Sequence, residues 1–265
     1  MGRVIAIANQ KGGVGKTTTA VNLSVALAEA GRRVLLIDLD PQGNATSGLT
    51  IVRDDEAQAS VNSKTIYDSL VVGIPLHEIV REARPGLFLA AAGGDLVGAE
   101  IELAAMEGRE RRLRAMLEVV ALEYNYVLID TPPSLGILTL NALVAADTVL
   151  VPMQCEYYAL EGLSSLLATI RKVKTALRPS LEIEGLVLTM FDSRNRLSHE
   201  IASEVRRHFP DKVFASVIPR SVRLSESPSH GLSVLEYEAK SAGAEKYRSL
   251  AAEIMEKDGA LAAPG

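Results

Sequence analysis

The stretch Gln10-Lys11-Gly12-Gly13-Val14-Gly15-Lys16-Thr17-Thr18 follows an apolar run at residues 4–8 and opens a segment of helical period at residues 20–30. A glycine-rich turn between a strand and a helix is built to hold phosphate. Its glycines let the backbone curl so that successive N–H groups point inward at anionic oxygens, with the positive end of the helix behind them. In the pattern G-x-x-x-x-G-K-[ST], Lys16 neutralises the β- and γ-phosphates and the Thr17 hydroxyl is placed to ligate Mg²⁺. The strict pattern would begin with a glycine at position 10, where this chain has Gln10. Its glycines are Gly12, Gly13 and Gly15, and an extra lysine, Lys11, precedes them.

Hydrolysis of a nucleoside triphosphate also needs carboxylates that order the metal and an attacking water. Asp38 and Asp40 lie in Leu36-Ile37-Asp38-Leu39-Asp40-Pro41-Gln42-Gly43-Asn44, and Asp130 closes Val127-Leu128-Ile129-Asp130 ahead of Thr131-Pro132-Pro133-Ser134. Pro41 ends the strand and leaves the Asp40 carboxylate at its edge, placed to position or deprotonate water. Asp130 is placed to hold Mg²⁺ through its water shell. Asp38 shares a strand face with Asp40 by period two, and either supports the site from behind or only shapes the turn. The prolines of 131–134 make a stiff segment suited to sensing the γ-phosphate.

Largely apolar runs recur at residues 4–8, 34–39, 87–91, 126–129, 148–153, 186–190 and 213–218. Between them lie stretches of 3.6-residue period at 17–29, 110–123, 160–177, 199–209 and 242–257. Apolar strands alternating with amphipathic helices predict a doubly wound α/β fold, a mostly parallel sheet with helices on both faces and ligands at the carboxyl ends of the strands. One domain is expected over residues 1–258, with a polar loop at 53–63 and a frayed tail at 259–265.

The box K-G-G-x-G-K-[ST]-T, the aspartate boxes, and Ile218-Pro219-Arg220 through Ser227-Pro228-Ser229-His230-Gly231 occur in an order that resembles the ParA-type partitioning ATPases, the deviant Walker A branch of the P-loop fold. That resemblance covers nearly the whole chain. It implies ATP and Mg²⁺ as cofactors, with Gly12 to Thr18 around the phosphates and weak intrinsic ATPase activity. It implies a homodimer formed on ATP binding, in which Lys11 reaches the partner's phosphates much as an arginine finger does. It places the adenine between Met190-Phe191 and Pro219-Arg220, although core packing is an equal role for Met190. A ParB-type centromere-binding protein would stimulate hydrolysis.

Charge carries the rest. The chain of 265 residues has a net charge of −5, yet residues 171–223 hold eleven Lys and Arg against six Asp and Glu. Such asymmetry fits a local basic patch. Arg194, Arg196, Arg220 and Arg223, read as loop or turn residues, are the candidate contacts to duplex DNA, and no aromatic residues interleave them to stack single-stranded bases. The composition is that of a soluble globular chain, and no apolar run is long enough to cross a bilayer, so a cytoplasmic, nucleoid-associated protein is expected. A MinD-type positioning ATPase would need a basic amphipathic C-terminal helix, whereas residues 251–258 are acid-rich. A nitrogenase-type iron protein needs two cluster cysteines per subunit, and Cys155 is the only cysteine; as a lone thiol it suits a small buried hydrophobe. A metabolic ATP-dependent ligase would use the same loop but would need a pocket for its acid.

Overall fold

The computed structural model describes residues 2–49, 64–156 and 159–262. The loop expected at 53–63 lies outside them. Eight strands, β1 (Arg3–Ile7), β2 (Val34–Asp38), β3 (Arg81–Arg84), β4 (Leu87–Ala90), β5 (Tyr126–Asp130), β6 (Thr148–Gln154), β7 (Glu182–Phe191) and β8 (Val213–Pro219), form one sheet. Their order is β3-β4-β2-β5-β1-β6-β7-β8. Every neighbouring pair is parallel except β3 and β4. The seven apolar runs are seven of these strands. The eighth, β3, is the charged sequence Arg-Glu-Ala-Arg on the sheet edge, where one side faces water and no apolar run is required.

Helices α1 (Lys16–Glu29), α2 (Leu96–Ala104), α3 (Arg112–Val120), α4 (Ile137–Ala145), α5 (Ala159–Ala176), α6 (Arg196–His208) and α7 (Ala242–Ala262) cover the sheet. Strand alternation divides the core in two. Ile5, Ile7, Leu36 and Leu128 pack with Leu23 and Leu27 of α1 and with Tyr247, Leu250 and Ile254 of α7. Val4, Ala6, Leu35 and Ile37 belong to the opposite core with Leu103, Leu117, Leu138, Leu166 and Val205 of α2 to α6. Both faces are therefore closed to water, as a parallel sheet requires.

The differences from expectation have local causes. Helix α4 shows no 3.6-residue stripe because Leu138, Ala142, Leu143 and Val144 are all buried, leaving no polar face to mark its period. Helix α6 begins at Arg196, three residues early, because the Asn195 side chain caps it by accepting from the Leu197 N–H at 3.0 Å. The run 110–123 is helix α3 with a tight turn on either side, at Arg109–Arg111 and Ala121–Glu123. Helix α7 continues to Ala262, so residues 259–262 are helical where fraying was expected, and 263–265 lie outside the described residues.

Gly185, in β7, sits where a side chain has no room: a Cβ there would lie 2.6 Å from the buried Phe214 ring and 2.8 Å from the Lys212 carbonyl oxygen. Gly185→Ala is expected to lower unfolding free energy by about 1–3 kcal/mol through overpacking, read as a shift of the urea midpoint. An unchanged midpoint would mean that β8 yields at no cost.

Candidate functional site

Strand β1 lies between β5 and β6, so the chain leaving it enters the crevice where strand order reverses. The turn that follows is pinned on both sides. The Ala8 N–H donates to the Leu150 carbonyl at 3.1 Å and the Asn9 amide to the Pro152 carbonyl at 2.7 Å, both on β6. The Thr189 hydroxyl of β7 donates to the Val14 carbonyl at 2.8 Å. Gly13 and Gly15 take φ of 71° and 85°, the left-handed region that a side chain opposes. Gly15 then caps α1, whose first residue is Lys16. A Cβ on Gly12 would meet nothing within 4 Å, so its outer side is open.

Beneath this loop the charges are unbalanced. Lys16 is buried, and burial lowers its pKa while Asp130 and Asp40 pull it back up. Among the described residues its Nζ donates only to the Lys11 carbonyl, at 3.5 Å. Asp130 is fully buried, and among the described residues neither of its oxygens receives a hydrogen bond. Burial first, and then the charge of Asp38, hold its pKa well above the usual range; Thr17 lies close enough to favour the anion without reaching hydrogen-bond geometry, and Lys16 acts in the same sense. Asp38 pairs in register with Asp130 across β2 and β5. Its carboxyl is pushed up to about 6 by burial, although it accepts from the Thr46 N–H and hydroxyl, each at 2.8 Å, and from the Asp40 N–H at 3.1 Å. Asp38 thus braces the turn that carries Asp40. The Asp40 carboxylate, 6% exposed, accepts from the Gln42 N–H at 3.0 Å, and its charge reaches Lys16.

An orphaned carboxylate beside a threonine and a desolvated ammonium fits a magnesium–phosphate group, which would satisfy all three at once. Among the described residues no three His, Cys, Asp or Glu gather to hold a metal unaided. Magnesium shared between phosphate oxygens, Thr17 and water near Asp130 needs no such cluster.

The sequence placed Met190 and Pro219 at a base, and the structure brings both to one cavity of about 350 Å³ beside Gly15 and Thr18. Met190 stands at φ 49°, the one left-handed residue other than glycine among those described. Sequence reasoning missed Leu224 and Tyr247, which also line this cavity. Tyr247 is buried with its hydroxyl 3.3 Å from that of Thr19, and nothing in the period of α7 distinguishes it from any other core residue.

The arginines depart from expectation. Arg196 opens α6 and Arg223 sits in the short helix Val222–Glu226, so neither lies in a loop. Arg194 pairs with Asp192, Arg196 with Glu200 and Arg223 with Glu226, each pair on the surface. The Arg194 hydrogen bonds hold Asp192 down at about 2. Arg220 makes no ion pair among the described residues, but it lines the cavity with Met190 and Pro219. Exposed pairs of this kind are weak and exchange readily with solvent. Lys11 likewise pairs, with Glu156 at 2.7 Å. Cys155 is buried and unpaired, its thiol pushed up to about 11 by burial.

The strand order, the loop after β1 and the aspartates ending β2 and β5 define a P-loop nucleotide-binding protein. A model of the AAA domain family matches residues 2–183. The chain is 52% identical to the chromosome partitioning protein ParA of Myxococcus xanthus, over 97% of this chain and 89% of that one. It is also 52% identical to the sporulation initiation inhibitor protein Soj of Bacillus subtilis, over 96% and 98%. A solved structure of cobyrinic acid a,c-diamide synthase from Mycobacterium smegmatis, with ADP and magnesium bound, superposes with a TM-score of 0.82 at 37% identity, covering 98% of this chain and 96% of that one. The chain belongs to the ParA/Soj group of P-loop partitioning ATPases. Among its described residues no helix is long and apolar enough to cross a membrane.

A carboxyl whose pKa is raised by folding holds a proton that the unfolded chain releases, so Asp38 and Asp130 subtract stability as pH rises from near 4 toward their folded values. Asp130→Asn should therefore stabilise the nucleotide-free protein by about 1–3 kcal/mol, with a gain that grows as pH rises from near 4. It should also lose the stabilisation that ATP with magnesium gives the parent. Thermal melts across that range, with and without nucleotide, measure both; a destabilised free variant would contradict the orphaned-charge reading.

Proposed function

We propose that this chain is a magnesium-dependent ATPase whose ATP-bound form pairs face to face with a second copy and, as a pair, holds duplex DNA without regard to sequence. The observation that carries this reading is the unbalanced set formed by Lys16, Thr17 and Asp130 under a glycine loop whose outer side, at Gly12, is open. The backbone N–H groups of Gly12 to Thr18 hold the phosphates and Lys16 neutralises them. Met190 and Pro219 wall the base. Magnesium, when bound, would supply positive charge against the phosphate oxygens, and Thr17 and Asp130 are the residues that would hold it, the latter through water. Asp40 orients the attacking water and takes its proton. Lys11 of each copy crosses to the other's phosphates, where its ammonium meets the charge that develops as the terminal phosphoryl group leaves. Loss of that group ends the attraction, and the pair separates.

Residues 1–258 work in this reading as one ATPase domain with 259–265 as its tail, in the cytoplasm and on the nucleoid. A ParB-type protein is the proposed activator of hydrolysis. The name of the Mycobacterium relative favours a second reading, ATP-dependent amidation of a carboxylic acid. Turnover that needs such an acid and ignores DNA would select it, and binding to lipid vesicles would select the MinD-type reading.

Lys16→Ala is expected to abolish ATP binding, whereas Asp40→Ala should bind ATP and magnesium, cease turnover and accumulate as a dimer. Gly12→Val should bind nucleotide and stay monomeric, since its side chain fills the approach of the second copy. Light scattering and equilibrium dialysis report these states, and an Asp40→Ala protein that remains monomeric with ATP would remove Asp40 from its role.

Pairing two weak basic surfaces roughly doubles the phosphates neutralised, so DNA affinity should rise steeply with ATP and fall steeply with salt. Glu in place of Arg194, Arg196, Arg220 or Arg223 in the Asp40→Ala background should weaken binding to any duplex while sparing the dimer. Parallel ATP titration is essential for Arg220, which lines the base cavity. Affinity indifferent to ATP, salt and all four reversals would leave an ATPase without DNA as its cargo.

A further inference from the structure

We infer that Glu156 is the resting counter-ion of Lys11, a latch within one chain that competes with the second copy's nucleotide for the Lys11 amine; the inference rests on the ATP-dimer reading above. Lys11 Nζ donates to Glu156 Oε2 at 2.7 Å. The other Glu156 oxygen accepts from the Gln154 side-chain amide, so the carboxylate is oriented and does not simply drift near the lysine. Gln154 is the last residue of β6, the strand to which Ala8 and Asn9 are also fastened. The Asn9 side-chain oxygen in turn accepts from the Lys11 N–H at 3.0 Å. Lysine, counter-ion and the strand beneath them therefore form one connected unit at the carboxyl edge of the sheet.

The two side chains are 36% and 46% exposed, so the pair holds the amine without trapping it. An amine that must serve a phosphate on another chain has to leave this carboxylate, because a carboxylate and a phosphate brought to the same ammonium repel each other. The fraction of protomers with a free Lys11 scales the apparent affinity of one copy for the other. Two latches open for each dimer formed, so the effect enters twice. Glu156 is on this view a positioning residue that sets how readily ATP joins two chains.

Two substitutions test the latch. Glu156→Gln keeps the shape and removes the charge; Glu156→Asp keeps the charge and withdraws it by one methylene. In the nucleotide-free protein, acylation of Lys11 by acetic anhydride, followed by mass spectrometry against the other lysines, should be about two- to five-fold faster in both variants, the range expected for an exposed pair. With ATP in the Asp40→Ala background, the dimer dissociation constant should fall about four- to 25-fold for Glu156→Gln, the square of that range. Acylation at the parent rate in either variant, or a Glu156→Gln dimer no tighter than its parent, overturns the latch. A parent that never dimerises with ATP instead overturns the dimer reading, and the acylation rates still decide whether Glu156 holds the amine.

Discussion

A buried lysine and a fully buried aspartate are expensive to keep, and the fold keeps Lys16 and Asp130 that way. Lys16 starts the helix after β1, and Asp130 ends the adjacent β5. Their proximity is a direct result of placing β1 beside β5 in a parallel sheet, which sends both chains out of the same edge. Covering that sheet on both faces excludes the solvent that would otherwise satisfy the two charges. The empty balance sheet of the site is thus a property of the whole architecture, and a nucleotide with its cation is the group that closes it.

Support for the charges is layered. Asp38, directly across from Asp130, holds the turn at Thr46 and the Asp40 N–H. Burial raises the affinity of both carboxyls for protons; the charge of Asp38 adds to this at Asp130, and the charge of Asp40 adds to it at Asp38. Thr131, immediately after Asp130, gives its hydroxyl to the Ile7 carbonyl at 2.8 Å, which ties the stiff proline segment to the end of β1. The segment that leads to α4 is thereby anchored at the sheet edge from which the phosphate loop also leaves.

The sequence made the sheet and the phosphate loop legible because both depend on local chemistry: apolar runs for the buried strands, glycines at positive φ for the loop. It was silent where structure depends on exposure or on distant residues. Strand β3 is charged because it is an edge, and α4 hides its period because it is buried all round. The proposed DNA arginines were visible as residue types, but not their carboxylate partners at Asp192, Glu200 and Glu226, which reduce the positive charge that the surface shows at rest. Glu156 was invisible as a partner for Lys11, 145 residues away in the chain.

Tyr247 belongs to α7, yet it lines the same cavity as Gly15 and touches Thr19, a contact that spans 228 residues. The turn and the back wall of this cavity thus answer to different parts of the fold. The turn is fastened through β6 and β7, at the Leu150, Pro152 and Thr189 contacts, whereas the wall is set by the packing of α7 on α1. Whatever shifts α7 against α1 therefore reshapes the cavity without touching the bonds that hold the loop.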